Sequence, residues 1–368
     1  MNEEIKSVLN KITDKGYKAY VVGGYVRDYI LGIESYDIDI ATNALPTELN
    51  ELFDNVDNNM YGGLSFSKGD YNFDITTFRS EVTYEDRRPT EFNYIDTVEE
   101  DVVRRDFTIN SLYMDSDGNI IDIYNGQDDI NNRIIRCVGN IKDKMVEDPL
   151  RILRALRFKI VLDFDIEDNL LTFIKQNKDL INTLSYSRIK EELDYIIKSD
   201  NRVKGLNYLK ELKLEDVLEI NIPDEIDDSE APLCIWAQLD FSPEYPFTKN
   251  ELSTINDIKS IVSYGIIDNV ILYRYGLYVS QLAGDILNIA DSYISELYKE
   301  LPIYTSKDMD ISGDEIIELL GIEPSGLIKD IFRDLENNIL EGKLNNNKEE
   351  IKEYILNNWR WYHEQCNL

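Results

Sequence analysis

Residues 20–42 read YVVGGYVRDYILGIESYDIDIAT, and the rest of the chain is built around this stretch. Successive side chains of a strand point to opposite faces, so Asp37 and Asp39 share one face while Ile38 and Ile40 bury the other. Two carboxylates placed side by side repel unless a divalent cation holds both ionised. The spacing therefore predicts a strand over 37–41 that carries a metal-binding pair. About a dozen residues upstream, Gly23 and Gly24 let backbone N–H groups approach a phosphate, with a helix predicted from about Tyr25 behind them. Together these are the parts of a nucleotidyl-transfer site. Taken alone, the acid pair reads first as two surface acids on a solvated edge strand, and Gly-Gly as a simple turn; the GGYVRD run before the acids reverses that reading.

Composition sets the outer limits. A chain of 368 residues is long enough for two or three domains. No apolar run approaches the ~20 residues of a membrane span, and the opening Met-Asn-Glu-Glu is unlike a secretory signal, so a cytoplasmic protein with no membrane partner is expected. Cys137, Cys234 and Cys366 are far apart with no CxxC, which predicts neither disulfides nor zinc. His363 is the sole histidine, which excludes a histidine-built metal site or a His-Asp phosphohydrolase domain.

Apolar Ile5, Val8, Leu9 and Ile12 recur at helical spacing and stop at Gly16. A strand over 18–22, the Gly-Gly turn, a helix over 25–31 and the acid-bearing strand follow. Pro46 opens the next helix, and the runs 61–67 and 71–78 alternate as paired strands. This predicts a mixed α/β head over residues 1–136. From Asp143 onward strand signals nearly vanish, and segments 149–163, 167–183, 187–199 and 201–212 repeat apolar residues at three and four. The reading is an α/β head with a mixed sheet, then an all-α neck over 137–220 and an all-α body and tail over 221–368, the acidic loop INIPDEIDDSE marking the junction.

With two further segments, the stretch 20–42 shows a family likeness. GGYVRDYILG followed by DID, RRDFTINSL at 104–112 and EDPLRILRALRF at 147–158 resemble, in order, the motifs of the class II tRNA nucleotidyltransferases, the CCA-adding enzymes, and of the related bacterial poly(A) polymerases. TTFRSEVTYEDRRP at 76–89 is similar to the segment bearing that family's mobile loop. ISGDEIIELLGIEPSGLIKDIF with LNNNKEEI is similar to the tail of the enzymes of Gram-positive bacteria. Five matches in order, spread over roughly residues 20–355, carry the likeness, where a lone GGxVRD or DxD would not.

The resemblance implies template-independent addition of CCA to the 3′ end of tRNA from CTP and ATP, with two Mg²⁺ ions held by Asp37 and Asp39 and pyrophosphate released. It implies Asp74 as a third acid, although a structural acid reads as well there. Gly23, Gly24 and Arg27 become phosphate contacts, with Asp28 orienting the arginine, or Arg27 and Asp28 form a plain internal ion pair. Arg104, Arg105, Asp106 and Asn110 become ribose and triphosphate contacts, against a solvated helix end and a cap or turn. Asp86, Arg87 and Arg88 belong to the loop, which could equally be a simple connection. Arg157 is grouped with the RNA-binding arginines, and Arg188 with a helix-start brace or a surface site. One departure from the family is Tyr61-Gly62-Gly63-Leu64-Ser65, where relatives carry a threonine that Ser65 could replace.

Asp148 and Arg151 offer a way to choose a base without a template. Asp148 is expected to cap a helix with Pro149 at its first position, which brings the two side chains to one spot. Cytosine and adenine each present an amine beside an unprotonated ring nitrogen, matching a carboxylate acceptor and a guanidinium donor. Guanine and uracil invert this pattern and leave charged partners unpaired, at about 1–3 kcal/mol per group. A capped helix with a solvated arginine accounts for these residues equally well. Arg154 falls on the same helix face, to meet phosphate or brace Asp148.

Charge argues against an RNA substrate. The net charge is −32, from 39 basic and 71 acidic residues. Residues 1–160 hold 19 basic and 30 acidic side chains, and the remainder 20 and 41. With arginines clustered in the motifs, a basic groove inside an acidic shell is expected, with salt-sensitive RNA affinity. Two other readings remain at this stage: a poly(A) polymerase or an enzyme adding only A, and a catalytically silent RNA-binding relative.

Overall fold

The computed structural model describes residues 1–53, 57–58, 63–85 and 88–359. Two compact units emerge, one of residues 1–220 with 243–245, the other of 221–242 with 246–368.

The first unit begins with helix α1 (Glu3–Thr13), capped by the Asn2 side chain and burying Ile5, Val8, Leu9 and Ile12 along one stripe. Strand β1 (Ala19–Val22) leads into α2 (Gly24–Leu31), then β2 (Asp37–Thr42), α3 (Pro46–Leu52), β3 (Asp57–Asn58), β4 (Leu64–Lys68) and β5 (Tyr71–Thr77). Next come β6 (Arg79–Glu85) and β7 (Arg88–Tyr94), α4 (Val98–Asp101), β8 (Leu112–Met114), β9 (Ile120–Asp122) and α5 (Gly126–Asn131). Among the described residues the main sheet has the order β3-β4-β5-β2-β1-β8-β9, and β6 and β7 form a separate antiparallel hairpin. The β2–β5 pair is parallel, whereas β1 pairs antiparallel with β2 and β8. The sheet is therefore mixed, and its acid-bearing strand lies in the middle with neighbours on both sides. A solvated edge strand is excluded.

Strand β10 (Ile134–Ile135) pairs in parallel with β11 (Asp165–Ile166), across the helices α6 (Ile141–Glu147) and α7 (Leu150–Leu162). Helices α8 (Asp168–Gln176), α9 (Tyr186–Ile197), α10 (Arg202–Glu211) and α11 (Glu215–Leu218) complete the unit. A Cβ at Gly205 of α10 would lie 2.5 Å from Cγ2 of Ile160 on α7 and 3.0 Å from Cγ2 of Ile196 on α9, so the three helices approach as closely as a missing side chain allows.

The second unit is helical: α12 (Pro232–Gln238), α13 (Lys249–Tyr264), α14 (Asn269–Leu287), α15 (Asp291–Lys299), α16 (Gly313–Leu320), α17 (Gly326–Leu340) and α18 (Lys348–Asn358). Trp236 is buried, edge-on to Phe241 and Phe247 with ring centroids at 5.3 and 5.1 Å. Capping boxes at Thr248 and Ser312 start α13 and α16, each with a glutamate three residues on. No helix among the described residues is long and apolar enough to cross a membrane.

Gly126 opens α5 directly against the carbonyl of Thr108, and a Cβ there would collide with that oxygen. The contact sets the turn that follows the Arg104-Arg105-Asp106 triplet. Gly126→Ala is expected to destabilise the protein by about 1–3 kcal/mol through overpacking against backbone that cannot rotate away. Urea denaturation measures this directly, and an unchanged midpoint would contradict it.

Candidate active site

Parallel pairing of β2 with β5 sets Asp39 opposite Asp74 and Asp37 opposite Asn72. Ile38, Ile40, Phe73 and Ile75 are buried, so strand alternation sends the three acids to the other face together. Asn72 Nδ2 donates to Asp37 Oδ1 at 3.0 Å, and the Ser65 hydroxyl donates to Asp74 Oδ1. Ser65, on β4, thus fixes the third acid; Tyr61 and Gly62 of the Tyr61–Ser65 segment lie outside the described residues.

Asp39 is exposed as a residue, yet the protein packed beside its carboxyl shifts it above the ordinary range; Arg105 offsets this, and Asp74 and Asp37 add to it. A divalent cation is the group that relieves such crowding. Among the described residues no three of His, Cys, Asp and Glu close around one point as a ready-made cage.

Gly23 sits at φ 71°, a left-handed conformation costly for other residues. A Cβ on it would lie 3.4 Å from Asp39 Oδ2 and 3.9 Å from Arg105 Nη1, so a side chain would fill the space between acid and arginine. Helix α2 starts at Gly24, the residue after this glycine, with no side-chain cap on its first turn.

Arg105 is not a solvated helix end. Its Nε donates to the Tyr113 hydroxyl at 2.7 Å, its Nη2 to Asp101 Oδ2 at 3.2 Å, and its guanidinium lies 4.7 Å over the Tyr113 ring. Arg104 Nε takes the other Asp101 oxygen at 2.8 Å. Burial opposes charge on Asp101, yet Arg104 and Arg105, with the Tyr113 hydroxyl, hold its carboxyl below the usual range.

A second chain of contacts runs from α2 to α7. Arg27 donates from Nε and Nη2 to Asp28 Oδ1 at 2.8 and 2.7 Å, and from Nη1 to Asn110 Oδ1 at 2.8 Å. Asn110 Nδ2 donates to Asp106 Oδ1 at 3.3 Å, and Arg154 donates to Asp106 Oδ2 from Nε and Nη2, each at 2.8 Å. Asn110 is therefore the link between two ion pairs rather than a cap. Burial works against a charge on Asp106, but Arg154 and the donors from Phe107 and Asn110 bring its pKa down to about 2.

Helix α7 departs from the sequence reading in three respects. It begins at Leu150, so Pro149 occupies the cap position, although Asp148 Oδ1 accepts from the Leu150 N–H at 3.2 Å. Arg154 does not brace Asp148, because Asp106 holds it; Arg188 lies 3.6 Å from Asp148 instead. Arg151 is buried rather than solvated: Nη1 donates to Glu147 Oε2 at 2.5 Å and to the Lys144 carbonyl at 2.8 Å, and Nη2 to the Arg104 carbonyl at 3.2 Å. Its Nε–H and one Nη2 hydrogen carry no partner among the described residues. Arg157 pairs with buried Glu192 at 3.3 Å and lies over the Phe158 ring at 4.5 Å, which Arg27 and Arg154 also approach at 5.2 and 5.3 Å. Asp86 and Arg87 lie outside the described residues, and Arg88 begins β7.

The head of this fold has known counterparts. Residues 19–136 match the family model "Poly A polymerase head domain", residues 163–220 the model "Probable RNA and SrmB-binding site of polymerase A", and residues 248–355 a model of tRNA nucleotidyltransferase domain 2. Over 96% of this chain and 98% of the relative, the sequence is 33% identical to the CCA-adding enzyme of Staphylococcus aureus strain Newman. The chain belongs to the CCA-adding enzyme family. Its fold agrees with the family's solved members. The Bacillus stearothermophilus CCA-adding enzyme, crystallised with CTP, superposes with a TM-score of 0.83 at 24% identity over the full length of both chains. The Thermotoga maritima enzyme, solved with tRNA, gives 0.67 at 22% identity over 97% and 96%. Divalent metal use is general in this family, in keeping with the acids on β2 and β5.

Sequence reasoning missed the acids beneath the site. Asp101 stands three and four residues before the paired arginines, the helical spacing for ion pairs, yet reads in sequence as the end of a solvated Glu-Glu-Asp run. Glu147 bears the same relation to Arg151. Glu192 leaves no sequence signal, since only folding brings it to Arg157.

Because the folded pKa of Asp106 lies below its unfolded value, the folded state binds fewer protons. The stabilisation is complete above about pH 4 and disappears as pH falls toward 2. Asp106→Asn should therefore cost about 2 kcal/mol at pH 7, with the gap to the parent protein closing below pH 4 in urea titrations. A gap independent of pH would show that the carboxylate's charge is not what stabilises the turn.

Proposed function

We propose that this chain adds CCA to the 3′ end of tRNA in the cytoplasm, without a template, using CTP and ATP and releasing pyrophosphate. The observation that carries the reading is the set of acids on β2 and β5, with Gly23 and Arg105 beside Asp39. Asp37 and Asp39 would hold two Mg²⁺ ions, and Asp74 supports Asp39 from the neighbouring strand. When bound, the ions supply activation of the RNA 3′-hydroxyl and neutralise charge on the triphosphate. The chain's own groups do the rest: the first N–H groups of α2 and Arg105 receive the triphosphate, and Arg27, held by Asp28, lines the same approach. Asp106 and Asn110 anchor the ribose side, and Arg104 fixes Asp101 beneath it.

Base choice falls to Asp148 and Arg151. Glu147 and two backbone carbonyls clamp the Arg151 guanidinium before any nucleotide arrives, so little reorganisation accompanies binding. Its remaining hydrogens face a ring nitrogen, and Asp148, steadied by Arg188, accepts from the exocyclic amine.

Primer extension tests the function on tRNA lacking CCA, tRNA ending in C-C and an oligo(A) primer, each with CTP, ATP or both. Ordered addition of C, C and A is expected. Extension of oligo(A) alone would identify a poly(A) polymerase, A addition to the C-C end alone an A-adding enzyme, and no extension a silent relative. Asp39→Ala should retain under a tenth of activity with unchanged circular dichroism, whereas more would remove the metal assignment. Arg151→Ala should erode discrimination against UTP and GTP by about tenfold or more, measured with each nucleotide separately. Slowing of all four with their ranking preserved would make Arg151 a brace of the fold alone.

A further inference from the structure

Asp101 is fully buried, and every part of its carboxylate is used. One oxygen, Oδ1, accepts from the Arg79 backbone N–H at 3.2 Å and from Arg104 Nε at 2.8 Å. The other, Oδ2, accepts from Arg105 Nη2 at 3.2 Å and from the Tyr113 hydroxyl at 2.6 Å. Arg79 is the first residue of the β6–β7 hairpin, and Arg105 is the arginine that stands across Gly23 from Asp39. The Tyr113 ring is itself fixed, edge-on to Tyr20 and Phe78 at 6.2 and 6.4 Å within a cluster that also holds Val22, Ala41, Val98 and Val102.

We propose that Asp101, acting with Tyr113, is a positioning residue that aims Arg105 at the catalytic acids and ties this aim to the base of the β6–β7 hairpin. The physical argument is one of satisfied valence. A buried carboxylate cannot release one partner without leaving a charge or an N–H uncompensated, so hairpin base and arginine keep a fixed relation. Arg105 Nε has the Tyr113 hydroxyl as its acceptor, and that hydroxyl passes its own hydrogen to Asp101, which fixes the plane of the guanidinium. The groups that meet the triphosphate are thereby oriented by a residue that does not touch it. A merely structural ion pair would stabilise the turn without any such dependence on Arg105.

This inference rests on the proposed nucleotidyl transfer, and two measurements separate the two. The first is a double-mutant cycle in nucleotide addition. Tyr113→Phe keeps the ring in its cluster and deletes only the hydroxyl, so the protein should fold, while kcat/KM for the nucleotide falls about tenfold and the KM for RNA stays within about twofold. In an Arg105→Ala background the same change should cost less than about twofold. Equal losses in both backgrounds would overturn the positioning role. The second is hydrogen exchange, which requires no activity: Asp101→Asn should speed exchange of the Arg79 amide and of residues 79–85 by about tenfold or more, leaving β1 protected. Unchanged protection there would overturn the tie to the hairpin. Should the parent protein add no nucleotide, the function would be refuted, and the exchange result would decide the tie by itself.

Discussion

Asp106 is the residue on which the first unit turns. Its carboxylate is part-buried, and it binds its own turn through the Phe107 N–H, α2 through Asn110 and Arg27, and α7 through Arg154. Its carbonyl also accepts from the Val138 N–H at 3.0 Å. A charge largely withdrawn from water is costly without its partners, so the sheet, the turn and the motif helix favour one arrangement. Gly126 against Thr108 and the pairing of β10 with β11 then follow as ways of bringing α7 back to that turn.

The same pairing of charge recurs at the motif arginines. Arg27, Arg104, Arg105, Arg151, Arg154, Arg157 and Arg188 each have an acidic partner at ion-pair distance. The expected basic groove is thus a set of internally paired guanidiniums. Each acid fixes the direction of its arginine and leaves only some of the hydrogens for a ligand, which favours geometry over bulk attraction. Phe158, with three guanidiniums around its ring, lets like charges gather without touching.

Residue types and spacing by themselves determined the mixed α/β head, the helical remainder, the acid pair on a strand and the glycine turn before it. These are local properties: a period of two or of 3.6, a residue that tolerates positive φ, a proline that opens a helix. Even so, Asp74 could be read two ways in sequence, and its place opposite Asp39 came only with the parallel register of β2 and β5. Register between strands some thirty residues apart is fixed by the packing of the whole sheet, which no local pattern encodes.

Tertiary structure alone decided who pairs with whom. Arg154 reaches Asp106 across 48 residues, Arg157 reaches Glu192 across 35, and Arg151 turns inward to the Arg104 carbonyl across 47. Sequence showed these side chains as charged positions on helix faces, equally suited to solvent. An arginine's several donors and long stem allow many partners, and the choice among them depends on which acids the fold buries nearby. Charge and periodicity are therefore written in the order of residues, whereas the orientation of each guanidinium belongs to the folded chain.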